Sequence, residues 1–266
     1  IPQQPRSRGL GDVYKRQVFG HVLRQHSEVQ FQHRAVFHPE DISAEWLTHI
    51  FGDQGAVIDF EIQTIGTGQV GANFRCHLTW DGHEGPSTVV IKFAALDAQS
   101  RATGIEMGTY RREVEFYRQI APRIDVAVPY VHYLDFVPGS ADVVIVMEDL
   151  HPRIQGDQLN GCSYGEAEAV LSEAALLHSA FWGDESLSEL DWVSRRRPDE
   201  IAQTIEFIEA LQPAFTDRYR SSLSDQAIEA GDRFAQGAFN WFSKIPAPST
   251  LVHGDYRLDN LMFAPD

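Results

Sequence analysis

"GTGQVGANFRCHLTW" runs from Gly66 to Trp80, and whether a helix or a strand follows its glycines decides the fold. Gly66, Gly68 and Gly71 form a GxGxxG, a spacing shared by dinucleotide folds and kinases. Glycines let a backbone come close to phosphate and turn its N–H groups toward the anion. A dinucleotide fold needs a helix directly behind them, so that the positive helix end meets the pyrophosphate. Here "ANFRCHLTW" carries β-branched and aromatic residues and reads as a strand. That predicts a hairpin loop lying over nucleotide phosphates; for the motif alone, an ordinary glycine hairpin is the alternative.

The flanking sequence agrees. "DISAEWLTHIFGD" (41–53) reads as a short amphipathic helix with an Asp or Ser cap. "AVIDFEIQTI" (56–65) alternates as a strand, and "STVVIKFAA" (87–95) is a third strand after the turn "DGHEG". Short turns between the three predict an antiparallel meander. "GIEMGTYRREVEFYRQIA" (104–121) reads as one helix ended by Pro122, then "VAVPYVHYLDF" (126–136) and "ADVVIVMEDL" (141–150) as two more strands. Beyond that the chain turns helical. Ser163–Glu166 is a capping box, followed by an apolar stripe of Ala167, Val170, Leu171, Ala174, Leu177 and Phe181. Further helices are predicted over about 199–211 and 224–243. The expected fold is α+β: an antiparallel five-stranded first lobe over 18–148 and a mainly helical second lobe over 149–266.

Two further stretches carry chemistry. Lys92 lies inside an apolar strand, where lysine is rare unless paired. From there it can reach α- and β-phosphates, held by a carboxylate of the next helix, with Glu113 the better candidate and Glu115 the second. Exposure on an edge strand is the alternative. "LVHGDYRLDNLMFAPD" (251–266) sets Asn260 five residues after Asp255. Phosphoryl transfer to a hydroxyl needs a carboxylate to orient it and accept its proton, and oxygen ligands to hold Mg²⁺ against the phosphates. One loop can present both, Asp255 as base and Asn260 as Mg²⁺ ligand, fixed by strands at "TLV" and "LMF".

Bulk properties set limits. A net charge of −16 from 22 basic and 38 acidic residues argues against nucleic acid or an anionic membrane as the main partner. The longest apolar run, Val143 to Met147, is too short to span a bilayer. Cys76 and Cys162 stand in no metal-ligand spacing and read as reduced thiols of a cytoplasmic protein. His178 reads as a core histidine and Trp182 as packing. "SRRRPD" (194–199) reads as a solvated loop, Asp259 as a turn cap or a neighbour of metal-bound water, and Asp149 and Asp157 as carboxylates able to face a substrate amine.

The order GxGxxG, strand lysine, helix glutamate, "VMEDL" and "HGDYRLDN" resembles the aminoglycoside phosphotransferase/choline kinase group of small-molecule kinases, which share the protein-kinase-like fold. "GTGQVG", "EVEFY", "VMEDL" and "LLHSAFW" are most similar to its ecdysteroid-kinase-like branch. The resemblance covers about residue 41 to the C-terminus. It implies ATP and Mg²⁺ as cofactors and a small hydroxylated molecule as acceptor. Lys92 and Glu113 would hold ATP phosphates, Met147, Glu148 and Leu150 would line the adenine between the lobes, and His253 would support the loop. It also implies a second metal-binding Asp a dozen or more residues past Asn260. The expectation is therefore a C-terminally truncated lobe that exposes apolar surface and turns over poorly. At the other end, "GDVYKRQ" (11–17) matches the translation of a transposon-end oligonucleotide used in sequencing, so residues 1–17 are expected to be non-native. A non-catalytic nucleotide-binding protein on the same fold and a dinucleotide-dependent enzyme are the competing readings.

Overall fold

Ser43 opens the first helix: its side chain accepts the N–H of Trp46 at 3.1 Å and caps α1 (Ala44–Phe51). Helix α1 buries Trp46, Leu47 and Phe51. Thr48 Oγ1 then accepts from the backbone N–H of Val57 at 2.9 Å, tying the helix to the first strand. The computed structural model describes residues 35–52, 54–66, 70–82, 85–193, 198–244 and 248–265. The proposed foreign segment 1–17 and most of "SRRRPD" lie outside the described residues.

Strands β1 (Val57–Ile65), β2 (Gly71–Trp80), β3 (Thr88–Ala94), β4 (Val131–Phe136) and β5 (Val143–Glu148) form one sheet in the order β1-β2-β3-β5-β4. Every neighbouring pair is antiparallel, so the meander stands as expected. Alternation assigns the faces. Val89, Ile91 and Phe93 of β3 pack with α1 in one core. Ala94, Val143 and Ile145 face the other way, onto Tyr110 and Val114. Burying each Val, Ile or Phe among them contributes roughly 1.5–3 kcal/mol, which makes β3 and β5 the firmest part of the sheet.

The single helix expected over 104–121 is instead three pieces. Helix α2 (Ala98–Glu106) is capped by Asp97; Gly108, at φ 64°, interrupts it before α3 (Thr109–Glu115). A π-helical turn, Phe116–Ile120, then continues into the Ala121–Arg123 turn. A left-handed residue ends one helix and re-aims the next, and glycine adopts it without a Cβ penalty. Strand β4 starts at Val131, later than the expected Val126; Pro129 has no N–H to give a ladder.

The second half holds α4 (Tyr164–Ala180), α5 (Pro198–Tyr219) and α6 (Asp225–Phe242). The Ser163–Glu166 capping box forms in full. Along the α4 stripe Leu177 is buried, and Phe181 just past the helix end is too, but Leu171 is exposed. Helix α5 runs eight residues beyond the expected 211, through Pro213. Helices α5 and α6 pair through small residues: Ala235 and Ala238 are buried, and a Cβ at Gly231 would stand 2.7 Å from Gln212 Nε2. Among the described residues no helix is long and apolar enough to cross a membrane.

Candidate active site

Asn73 on β2 pairs with Lys92, and Lys92 with Ile145 on β5, so Lys92 shares the face on which α3 packs. That placement brings it to Glu113: Nζ lies 2.6 Å from Oε1, and both side chains are about three-quarters buried. Glu115 points elsewhere, accepting from Gln119 and from Arg118. Gly71 lies beside the lysine, where a Cβ would stand 3.0 Å from Lys92 Cε. Gly66 takes φ 71° at the end of β1, whereas Gly68 lies outside the described residues.

The strand carrying Met147 and Glu148 ends at Glu148. Glu148 Oε1 accepts the N–H of Tyr130 at 2.8 Å. Asp149 does not face a substrate amine: Arg75 Nε donates to its Oδ2 at 2.6 Å and Arg75 Nη2 to its Oδ1 at 3.1 Å. Burial pushes the Asp149 carboxyl up, but the Arg75 guanidinium, the His151 N–H and the Thr88 hydroxyl outweigh it and hold the group below the usual carboxylate range. Tyr117 lies close enough to both regions to feel their carboxylates. Burial raises its phenol, and the carboxylates of Glu113 and Glu148 add to the shift.

The His-Gly-Asp loop is held by hydrogen bonds rather than by two strands. Thr250–Val252 is not a strand; Thr250 Oγ1 donates to His178 O at 2.6 Å, and Gly183 N–H to Ser249 O at 2.8 Å. Only β7 (Met262–Phe263) pairs, with β6 (Ile154–Gln155). Gly156 lets the two segments meet, since a Cβ there would lie 2.6 Å from Leu258 O. Gln158 holds the loop from both sides: its Oε1 accepts Leu258 N–H at 3.0 Å and its backbone N–H reaches Asp259 Oδ1 at 2.9 Å. Asp259 is therefore a scaffold carboxylate. Asp157 is engaged likewise, accepting the N–H groups of Leu159 and Asn160.

Inside the loop, Asn260 Nδ2 donates to Asp255 Oδ2 at 2.9 Å and to Asp255 O at 2.8 Å. Arg257 Nε donates to Asp255 Oδ1 at 2.9 Å and Nη1 to Asp259 Oδ2 at 3.2 Å. His253 Nδ1 accepts the N–H of Asp255 at 3.2 Å, and Tyr256 OH donates to Val170 O. Asp255 stays exposed. Arg75, Gly156 and Gln158 escaped the sequence reading, because each acts through partners remote in the chain or through backbone room; Arg257 escaped it although Asp255 and Asp259 stand two residues away on either side. A guanidinium in a strand otherwise facing a core was the one available signal for Arg75.

The donor chemistry suits Mg²⁺ carried by a nucleotide. No three His, Cys, Asp or Glu side chains gather around a metal position among the described residues. Mg²⁺, however, commonly takes one or two protein oxygens together with substrate phosphates. The amide of Asn260, whose nitrogen donates to Asp255, could offer its oxygen to such a cation. Cys76 offers no competing chemistry: it is buried, and burial pushes its thiol up to about 12.

A five-stranded antiparallel sheet with a Lys–Glu pair, followed by helices and an Asp…Asn loop, defines a two-part protein-kinase-like fold. The profile of APH, the phosphotransferase enzyme family, matches residues 69–266, and the chain belongs to that family. It is thereby a kinase-type phosphotransferase. Comparison with the curated proteins found no match.

Proposed function

We propose that this protein transfers the γ-phosphate of ATP, as its Mg²⁺ complex, to a hydroxyl of a small molecule. The observation that carries the reading is the Lys92–Glu113 pair at 2.6 Å on the sheet face, in one chain with the Asp255–Asn260 loop. Glu113 orients the ammonium, and Lys92 Nζ would bond the α- and β-phosphates. Met147, Glu148 and Leu150 line the adenine. Asp255 accepts the acceptor's hydroxyl proton, and Asn260 holds both Asp255 and the cation. Bound Mg²⁺ would neutralise charge on the phosphate oxygens. Most of the acceleration then comes from positioning and charge, with little covalent work by the protein.

The lobes divide at 148/149, and the acceptor belongs to the hydroxylated small molecules, the ecdysteroid-kinase-like branch being the nearest resemblance. Among the described residues Asn260 is the ligand assigned to the cation, and slow turnover by these 266 residues is expected. The alternative reading is a nucleotide-binding protein without turnover. Incubation with ATP labelled at the γ-phosphate and a panel of hydroxylated acceptors separates the two. Label transferred to an acceptor, and lost with Asp255→Ala, supports the kinase. ATP binding without transfer to any acceptor supports the alternative.

A further inference from the structure

A salt bridge seventy-four positions apart in sequence spans the sheet at the segment assigned to the adenine. Arg75 comes from β2 and Asp149 from the residue just past β5, so the bond crosses over β3. The register fixes what lies beneath it. Asn73 pairs with Lys92 and Arg75 with Val90, while Val90 pairs with Met147. Side chains alternate along a strand, so Gly71, Asn73 and Arg75 share one face. That face carries, in successive rows, the end of the glycine loop, then Lys92, then Arg75 beside Met147, and last Asp149.

The pair is unusually well made for a connector between two halves of a chain. The Asp149 side chain is only 4% exposed and accepts both arms of the guanidinium, while the Arg75 side chain keeps 25% of its surface open. The backbone N–H of His151 also donates to Asp149, at 3.0 Å. Buried ion pairs add little net stability, because desolvation offsets attraction; geometric specification is the role left to them. A bidentate guanidinium supplies geometry, since its planar fork permits one orientation of the carboxylate.

We infer that Arg75 and Asp149 are positioning residues for the nucleoside half of the nucleotide, locking Met147–Leu150 to the strand that leads from the glycine loop. The inference rests on the nucleotide reading above. It separates two grips on one ligand: Lys92 and Glu113 hold phosphates, and the Arg75–Asp149 lock sets the pocket for the base.

The test measures dissociation constants of adenosine and of inorganic tripolyphosphate with Mg²⁺ for the wild type, Arg75→Met/Asp149→Leu and Lys92→Met. The double variant removes both charges, so no lone carboxylate is left buried. It is expected to weaken adenosine by about tenfold, with tripolyphosphate within about twofold. Lys92→Met is expected to do the converse. Adenosine affinity within about twofold of wild type in the folded double variant overturns the inference. Equal loss of both ligands also overturns it, since that reports general loosening. If circular dichroism shows the double variant unfolded, Arg75→Lys, which keeps the charge but not the fork, is judged by the same thresholds. A wild type that binds neither ligand removes the nucleotide reading, and this inference with it.

Discussion

The sheet half and the α5–α6 pair are built from similar shares of apolar residues and spend them differently. In β5, Val143, Val144, Ile145 and Val146 are all buried, and Val89, Ile91 and Phe93 of β3 are nearly inaccessible. Helix α5, at 22 residues, buries Thr216 alone. Its Phe207, Leu211, Phe215 and Tyr219 stand four apart on one stripe and are exposed, as are Phe234, Phe239 and Trp241 of α6. A strand between two neighbours, with helices over both faces, has no open side. A helix pair buries only the seam it shares. The sheet therefore supplies the rigid platform for Lys92, and the helix pair contributes little to holding the His-Gly-Asp loop. That loop is tied instead to β6, Gln158 and α4.

Function should be lost most sharply where stability is least involved. Asp255→Ala is expected to cut the wild-type phosphoryl-transfer rate by about 10²–10⁴-fold, the usual worth of a general base, with an unfolding midpoint close to wild type because the loop is exposed. A loss of only a few-fold would remove Asp255 from that role. The platform behaves oppositely. Ile91→Ala should cost about 2–5 kcal/mol in denaturant unfolding, through lost burial and a cavity, whereas Phe215→Ser on the α5 stripe should stay within about 0.5 kcal/mol. Similar costs for the two would break the contrast between the halves. Amide exchange reads the same contrast without mutation: β3 and β5 should protect far longer than α5 and α6.

Smaller effects sharpen the picture. Ser163→Ala removes one member of the capping box and should cost about 1 kcal/mol, which matters because α4 supports Tyr256 through Val170. His132 gives the mildest effect. Burial holds it below its ordinary value, so the folded protein prefers the neutral ring while the unfolded chain protonates first. Stability from this residue is complete above about pH 6.5 and declines as pH falls below it. The midpoint should drop between pH 8 and pH 5.5 by less in His132→Gln than in the wild type; an equal drop would assign the pH response elsewhere.

Legibility followed locality. Strands β1 to β5 could be read because alternation and apolar runs are local signals, and Lys92 because a charge inside such a run asks for a partner. The break at Gly108 was misread because the periodic residues on either side of it look continuous until a left-handed residue re-aims the axis. "TLV" has strand composition but pairs with no strand among the described residues. Asp149 was read as able to face a substrate amine because its partner, Arg75, lies on a different strand of the fold. Gly156 was silent because the room it provides is for a backbone a hundred residues away. Sequence patterns therefore announced the candidates for chemistry, and left unannounced the residues that hold them in place.

The most direct test of the account is the affinity of the wild type for ATP with and without Mg²⁺, beside Asn260→Ala. Lys92–Glu113 gripping phosphate and Asn260 gripping the cation predict that Mg²⁺ tightens ATP by about tenfold or more, and that Asn260→Ala erases this gain while leaving Mg²⁺-free binding intact. No binding of ATP, or binding indifferent to Mg²⁺ in the wild type, would contradict it.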